Sequence, residues 1–177
     1  MATATVPPAL TLEQFRERFA DSDRAYEYWF GEAVEKPVPT WLHAIVQVLI
    51  ADALRRAGYR VGSELDLRVD PQFQPRPDVS ATRKRIGGPY PTSPEEIEIV
   101  VEVLSPDDKQ TRVYQKCLHY HRLGILQLFV IDPETRTAWQ WNRDLRQLDR
   151  RDAWELTNGQ SIQMADLWQQ LEAELNK

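Results

Sequence analysis

The feature that most restricts the fold is the stretch from Ile97 to Ile131. A nearly unbroken apolar run, Ile97 to Leu104, is followed by an amphipathic segment from about Asp108 to Leu123, then Gly124, then a second apolar run, Leu126 to Ile131. Runs this short and rich in β-branched residues belong at the centre of a sheet covered on both faces. Strand, helix and strand joined by short links make a right-handed crossover, so the two strands should be parallel neighbours. The expected class is α/β, with a mixed central β-sheet flanked by helices. A length of 177 residues with 42% hydrophobic content suffices for one domain rather than two.

The remaining segments fit around this unit. Residues 1–10 are expected to form a loose arm and 11–177 a single domain. Thr11 with Gln14 resembles a capping box for a helix to about Ala20. Residues 25–30 and 32–35 flank Gly31 and suggest a turn between two short strands, with a helical alternative left open by their aromatic density. Thr40 is a plausible N-cap for a helix whose Trp41, Ile45, Val48, Leu49 and Leu54 recur at helical spacing, closed by Gly58. Tyr59 to Gly62, Glu64 to Val69 and Asp78 to Thr82 read as three strands, and residues 86–94, with two Gly and three Pro, as a loop. Thr137 to Trp141 and Ala153 to Leu156, with a closing helix from Met164 to Leu175, should make an antiparallel extension.

Charge and cysteine content exclude several classes. The single Cys117 rules out an intrachain disulfide framework, and no run approaches the roughly 18 apolar residues of a membrane span. The opening residues lack the basic start and apolar stretch of a secretory signal, so a cytoplasmic setting and no membrane partner are expected. The net charge of −5 argues against holding nucleic acid by bulk electrostatics. Residues 76–122 carry 8 basic and 7 acidic side chains, the only third that is not acidic, so a bound phosphate would sit there. Lys109, Arg112, Lys116 and Arg122 form one basic stretch and Arg83, Lys84 and Arg85 another; both read equally well as solvated faces. The six Trp are scattered rather than spaced as a stacking platform.

Three charged residues fall where a core should exclude them. Glu102 lies inside the first apolar run, on the strand face of Val100 and Leu104, and must be paired, protonated or coordinating a cation. Glu98, nearer the strand start, can reach water. Asp78, in Arg-Pro-Asp-Val-Ser, begins a strand and either projects from its end or is an ordinary turn residue. On the helix from about 108 to 123, with Val113 at zero and about 100° per residue, Lys116 falls near −60°, inside the apolar stripe of Cys117 and Tyr120. Its ammonium either seeks an acidic partner on the sheet or snorkels to the rim. If the three converge, two carboxylates and a lysine form a minimal site for metal-assisted phosphodiester hydrolysis, with Mg²⁺ or Mn²⁺ suited to the hard oxygens. Ser105, followed by Pro106 and Asp108, reads as a helix cap, and Glu64 is a further polar candidate.

The succession Tyr-Glu-Tyr-Trp-Phe-Gly-Glu (26–32), His43, Arg-Pro-Asp-Val (76–79), Val-Glu-Val-Leu-Ser-Pro (101–106), Lys116 with Tyr120, Gly-Ile (124–125) and Phe-Val-Ile-Asp-Pro (129–133) resembles the Uma-two family of restriction-endonuclease-like proteins, within the PD-(D/E)XK nuclease superfamily. The resemblance spans roughly residues 10–170. It implies a restriction-endonuclease-like core, a divalent metal held by Asp78, Glu102 and the Val103 carbonyl, and catalysis assisted by Lys116. The superfamily's usual lysine two residues after the acid is replaced by Leu104, and Lys116 on the following helix takes that place. Glu27 would complete or support the site, with His43 nearby. Arg112 stands where relatives commonly carry an aspartate four residues before the lysine. The implied activity is endonucleolytic hydrolysis, with DNA as partner and a homodimer by analogy. The alternatives are a catalytically inactive nucleic-acid-binding or regulatory module on the same fold, and a hydrolase of small phosphate esters.

Overall fold

The computed structural model describes residues 9–177. In chain order its elements are α1 (Leu12–Phe19), β1 (Tyr26–Trp29), β2 (Glu32–Glu35), α2 (Trp41–Arg56), β3 (Arg60–Ser63), β4 (Phe73–Gln74), β5 (Val79–Thr82), β6 (Ile99–Val103), α3 (Gln110–Leu123), β7 (Gln127–Asp132), β8 (Thr137–Asn142), β9 (Gln147–Arg150), β10 (Ala153–Glu155), β11 (Ser161–Gln163) and α4 (Met164–Leu175). Residues 1–8 of the expected arm lie outside the described residues. Leu10 donates its N–H to the Gly31 carbonyl at 2.8 Å, on the turn between β1 and β2.

The crossover unit forms as its sequence requires. β6 and β7 are parallel, with Ile99 opposite Gln127 and Val103 opposite Ile131. All five residues of β6 are buried, as a strand covered on both faces must be. Gly124 closes α3 in the left-handed region at φ 86°, where a residue without a Cβ meets no penalty. This pair is the centre of a six-stranded sheet of order β3-β5-β6-β7-β8-β9, with every other neighbouring pair antiparallel. β10 and β11 pair separately.

Alternation along the strands divides the core in two. Val79, Ala81, Ile99, Val101 and Val103 face α2 and α4, packing with Val46, Ile50, Leu54, Leu167 and Leu171. Val100, Leu128 and Val130 face α3, with Cys117 and Tyr120. Over this second face lies a small antiparallel sheet, β2-β1-β4, which brings Trp29 and Phe73 into the same cluster.

Four expectations are corrected. Glu64 to Val69 is not a strand: Glu64 turns the chain at φ 53°, and Leu67 and Arg68 donate to the carbonyls of Pro75 and Pro91 rather than to a ladder. Alternating Leu65, Leu67 and Val69 imitate a strand, but the paired strand is the two-residue β4. On α2 the buried face is His43, Val46, Ile50, Ala51 and Leu54, while Trp41 and Val48 are 78% and 66% exposed. Apolar residues surround most of that helix, so spacing alone could not select the inner face. Glu98 does not reach water: it is buried, accepting the Arg83 backbone N–H at 2.5 Å and its guanidinium at 2.7 Å. That contact, with the backbone N–H, outweighs burial and lowers its pKa, and uses one cation of the Arg83–Arg85 run. Ser105 does not cap α3; Asp108 accepts the Ser105 N–H at 2.7 Å, and the helix begins at Gln110.

Candidate active site

At the end of the β5–β6 pair the ladder opens into a cavity of about 330 Å³ between the central sheet, α2, α3 and the β1–β2 layer. β5 and β6 pair antiparallel with Val79 opposite Val101, and continuing that register by one residue sets Asp78 opposite Glu102. Both carboxylates line the cavity. Two acids separated by 23 intervening residues in the sequence are thus made neighbours by strand pairing alone.

Asp78 is 3% exposed. Its Oδ2 accepts the Val103 N–H at 2.7 Å, a donor that faces the β5 side where β5 has ended. Its Oδ1 accepts from the Lys36 ammonium at 3.0 Å and lies 3.5 Å from His43 Nε2. Gln47, one turn after His43 on α2, donates to the Asp78 carbonyl at 2.8 Å. Burial alone would raise the Asp78 pKa; the His43 contact and the charges of Lys36 and Lys116 outweigh it and hold the carboxyl well below its usual range. Asp78 is therefore ionised throughout the neutral range. The resemblance implied the Val103 carbonyl as a ligand, whereas the contact present here is its N–H, orienting Asp78.

Glu102 sits in a second network. Its Oε2 accepts from Lys116 Nζ at 2.9 Å and its Oε1 from the Tyr120 hydroxyl at 2.7 Å. Lys116 Nζ is also 2.7 Å from Glu27 Oε1. Lys116 and Tyr120 are four residues apart and so share one face of α3. Glu27, 2% exposed on β1, also accepts the Trp29 indole N–H at 3.0 Å and the Arg76 backbone N–H at 2.7 Å. Burial pushes the Glu102 pKa up to about 7, opposed by Lys116 and reinforced by the nearby Asp78 and Glu27 charges. Burial would lower the Lys116 pKa, but Glu102 and Glu27 on either side raise it well above its ordinary value. The ammonium thus keeps its proton. Cys117, beside Lys116 on α3, is buried and its thiol is pushed up to about 12, so it is no nucleophile at neutral pH.

The structure therefore brings Asp78, Glu102, Lys116, Glu27 and His43 to one cavity, and adds Glu64 from the turn after β3. Sequence reasoning missed Lys36 entirely. In Glu-Lys-Pro-Val-Pro it looks like a surface residue after a short strand, yet it is largely buried against Asp78, Glu64 and the Arg76 carbonyl. Nothing local marks it, because its partners belong to β3, β5 and their flanking turns. Six carboxylates (Glu27, Glu35, Glu64, Asp78, Glu102, Asp108) and four cationic side chains (Lys36, Arg76, Arg112, Lys116) line the cavity, a formal excess of two negative charges. Hard oxygen donors, that excess charge and the unpaired His43 Nε2 fit a divalent cation.

Comparison with known proteins agrees with this architecture. A crystal structure described as a "putative nuclease belonging to DUF820" from Anabaena variabilis superposes with a TM-score of 0.77 at 21% identity, covering 92% of this chain and 99% of that one. A DrdV–DNA complex resolved by electron cryomicroscopy matches at 18% identity over 71% of this chain and 10% of that one, with a TM-score of 0.36, too low to bear on the argument. No curated protein matches the chain in sequence. Among the described residues no helix is long and apolar enough to cross a membrane. The model of the family described as "Uma2: Putative restriction endonuclease" matches residues 12–175, and with that match over nearly the whole chain, on this fold, the protein belongs to the Uma2 family.

Proposed function

We propose that the protein is a divalent-metal-dependent endonuclease that hydrolyses phosphodiester bonds of DNA in the cavity around Asp78. The observation that carries this reading is the pairing of Asp78 with Glu102 at the end of the β5–β6 ladder, beside a buried lysine that keeps its proton. Family membership supports nuclease chemistry. Asp78 and Glu102 would hold Mg²⁺ or Mn²⁺. Such an ion polarises a phosphoryl oxygen and lowers the pKa of a bound water.

The chain's own residues have separable tasks. Asp78, kept ionised and fixed by the Val103 N–H, supplies a permanent negative donor. Lys116 remains an ammonium between Glu27 and Glu102, so it acts as a fixed positive charge and hydrogen-bond donor toward the phosphate, not as a base. Glu27 is a positioning residue, holding Lys116 in register with Glu102. Arg112 lines the cavity rim from α3, its guanidinium donating to the Glu35 carbonyl at 3.0 Å, and offers a contact for a flanking phosphate. A homodimer would present two such cavities to two strands, and a reducing cytoplasmic setting suits the free buried thiol.

The test is cleavage of supercoiled plasmid with Mg²⁺ or Mn²⁺. Activity should vanish with chelator and in Asp78→Asn, and persist in Asp149→Asn, whose side chain lies on β9. Cleavage that survives Asp78→Asn refutes the reading. One observation favours a second reading, an inactive binding module: both Glu102 oxygens are engaged, by Lys116 and Tyr120, as in a structural charge cluster. That module would bind DNA without turnover at any metal.

A further inference from the structure

Three donors converge beside the Asp78–Glu102 pair, on the side of Asp78 away from Glu102's network. His43 Nε2, a Glu64 carboxylate oxygen and an Asp78 carboxylate oxygen lie within 4.8 Å of one another. His43 is 5% exposed, and its Nε2 is buried with no hydrogen-bond partner. Its other nitrogen, Nδ1, is anchored 3.1 Å from Ser105 Oγ. Where the ring proton sits on Nε2 it points at Asp78 Oδ1, 3.5 Å away, and favours the ionised carboxylate; where Nδ1–H is donated to the Ser105 hydroxyl instead, Nε2 presents a lone pair to that oxygen. In the second state two acceptors face each other, which is costly unless a cation lies between them, so the point is filled either by a proton or by a metal ion. An imidazole fixed through one nitrogen, with the other bare and buried beside carboxylates, is how proteins prepare a histidine for a metal.

Lys36 reaches the same point. Its Nζ lies 2.7 Å from Glu64 Oε2, 3.0 Å from Asp78 Oδ1 and 2.7 Å from the Arg76 carbonyl oxygen. The ammonium satisfies the oxygens but not His43 Nε2, which only a proton or a metal ion can answer. A lysine on a flexible four-carbon stem can leave where a backbone group could not.

We propose that His43, Glu64 and Asp78 form a second cation position, selective for an ion with affinity for imidazole, such as Co²⁺ or Zn²⁺, over Mg²⁺, and that the Lys36 ammonium holds this position until the ion displaces it. The selectivity follows from the donor set: an imidazole nitrogen favours late divalent ions, whereas an all-oxygen site would favour Mg²⁺. The displacement sets the affinity, because apparent binding is weakened by the fraction of molecules in which Lys36 still occupies the point. The inference deepens the nuclease reading, with which it shares Asp78. Its test reads binding rather than cleavage, so a chain that binds as described but cuts nothing would refute only the nuclease reading.

Calorimetric titrations of the full chain with CoCl₂ and MgCl₂, alongside the visible absorption of Co²⁺, provide that test. The unmodified protein should bind Co²⁺ more tightly than Mg²⁺, Lys36→Met should bind Co²⁺ at least about tenfold more tightly still, and His43→Gln should lose the preference for Co²⁺. Unchanged or weaker Co²⁺ binding in Lys36→Met, or an unchanged preference in His43→Gln, overturns the proposal. Because Lys36→Met deprives two carboxylates of their cation, the unmodified chain supplies an independent reading: pulsed electron paramagnetic resonance of the Mn²⁺-loaded protein should show nitrogen modulation from a coordinated imidazole. Its absence from a stoichiometrically loaded sample, or failure to load at millimolar Mn²⁺, overturns the proposal equally.

Discussion

Replacing Lys116 by methionine keeps most of the side-chain volume and removes the charge. For a lone ammonium aimed at a sheet this would be neutral or stabilising, because a buried charge without partners is costly. The structure reverses the sign. Nζ lies 2.7 Å from Glu27 and 2.9 Å from Glu102, and all three side chains are at least nine-tenths buried. At an effective dielectric of about 20 each contact represents a gross attraction near ~6 kcal/mol, most of it offset by desolvation. Removing the shared cation leaves two buried carboxylates facing each other, and breaking a buried pair from one side costs about 3–5 kcal/mol. For a chain of this length that corresponds to a fall in Tm of about 6–20 °C. The loss must depend on pH. Glu102, already pushed up to about 7, rises further without Lys116 and takes a proton in mild acid, which relieves the repulsion. Thermal melts followed by circular dichroism should therefore show the full deficit near pH ~8 and a deficit smaller by at least ~1 kcal/mol near pH ~5. An unchanged or raised Tm near pH ~8, or the same deficit at both values, would refute the shared-cation argument.

Three further outcomes follow from named contacts. Glu102 has its pKa raised from 4.5 to about 7, so the folded state holds a proton that the unfolded chain has lost between those values. Stability from this group is complete below about 4.5 and declines as pH rises to about 7, by up to ~3 kcal/mol. Glu102→Gln, which still accepts from Tyr120, should abolish that slope in urea denaturation curves; a slope that persists would assign it elsewhere. Gly124 at φ 86° has open space where a Cβ would go, so Gly124→Ala should cost only the left-handed backbone penalty, about 1 kcal/mol by denaturant melt, and a neutral result would mean the C-cap relaxes. Cys117 should resist a thiol reagent at neutral pH in the folded chain and react at once in denaturant; rapid labelling of the native protein would contradict its burial.

What the sequence revealed was what local pattern can encode. The crossover unit was legible because its two apolar runs and intervening helix carry different periods, and Gly124 marks the join. Lys116 was legible as anomalous because its angular position contradicts its charge. Its second partner, Glu27, came only through the resemblance to the Uma-two family, since β1 reaches α3 from a separate small sheet. The convergence of Asp78 and Glu102 depends on the β5–β6 register, which no single segment specifies. Lys36 and the buried Glu98 were illegible for the same reason: each looks like a surface charge until a distant element covers it. The Glu64 to Val69 error arose because alternation predicts a strand, whereas the ladder depends on where each N–H finds a carbonyl.

Whether the cavity around Asp78 holds a divalent cation is measured directly by anomalous diffraction from crystals soaked in millimolar Mn²⁺. A peak is expected within about 2.0–2.3 Å of an Asp78 carboxylate oxygen, lost in Asp78→Asn crystals. Density confined to exposed surface carboxylates, with none in the cavity, would contradict it.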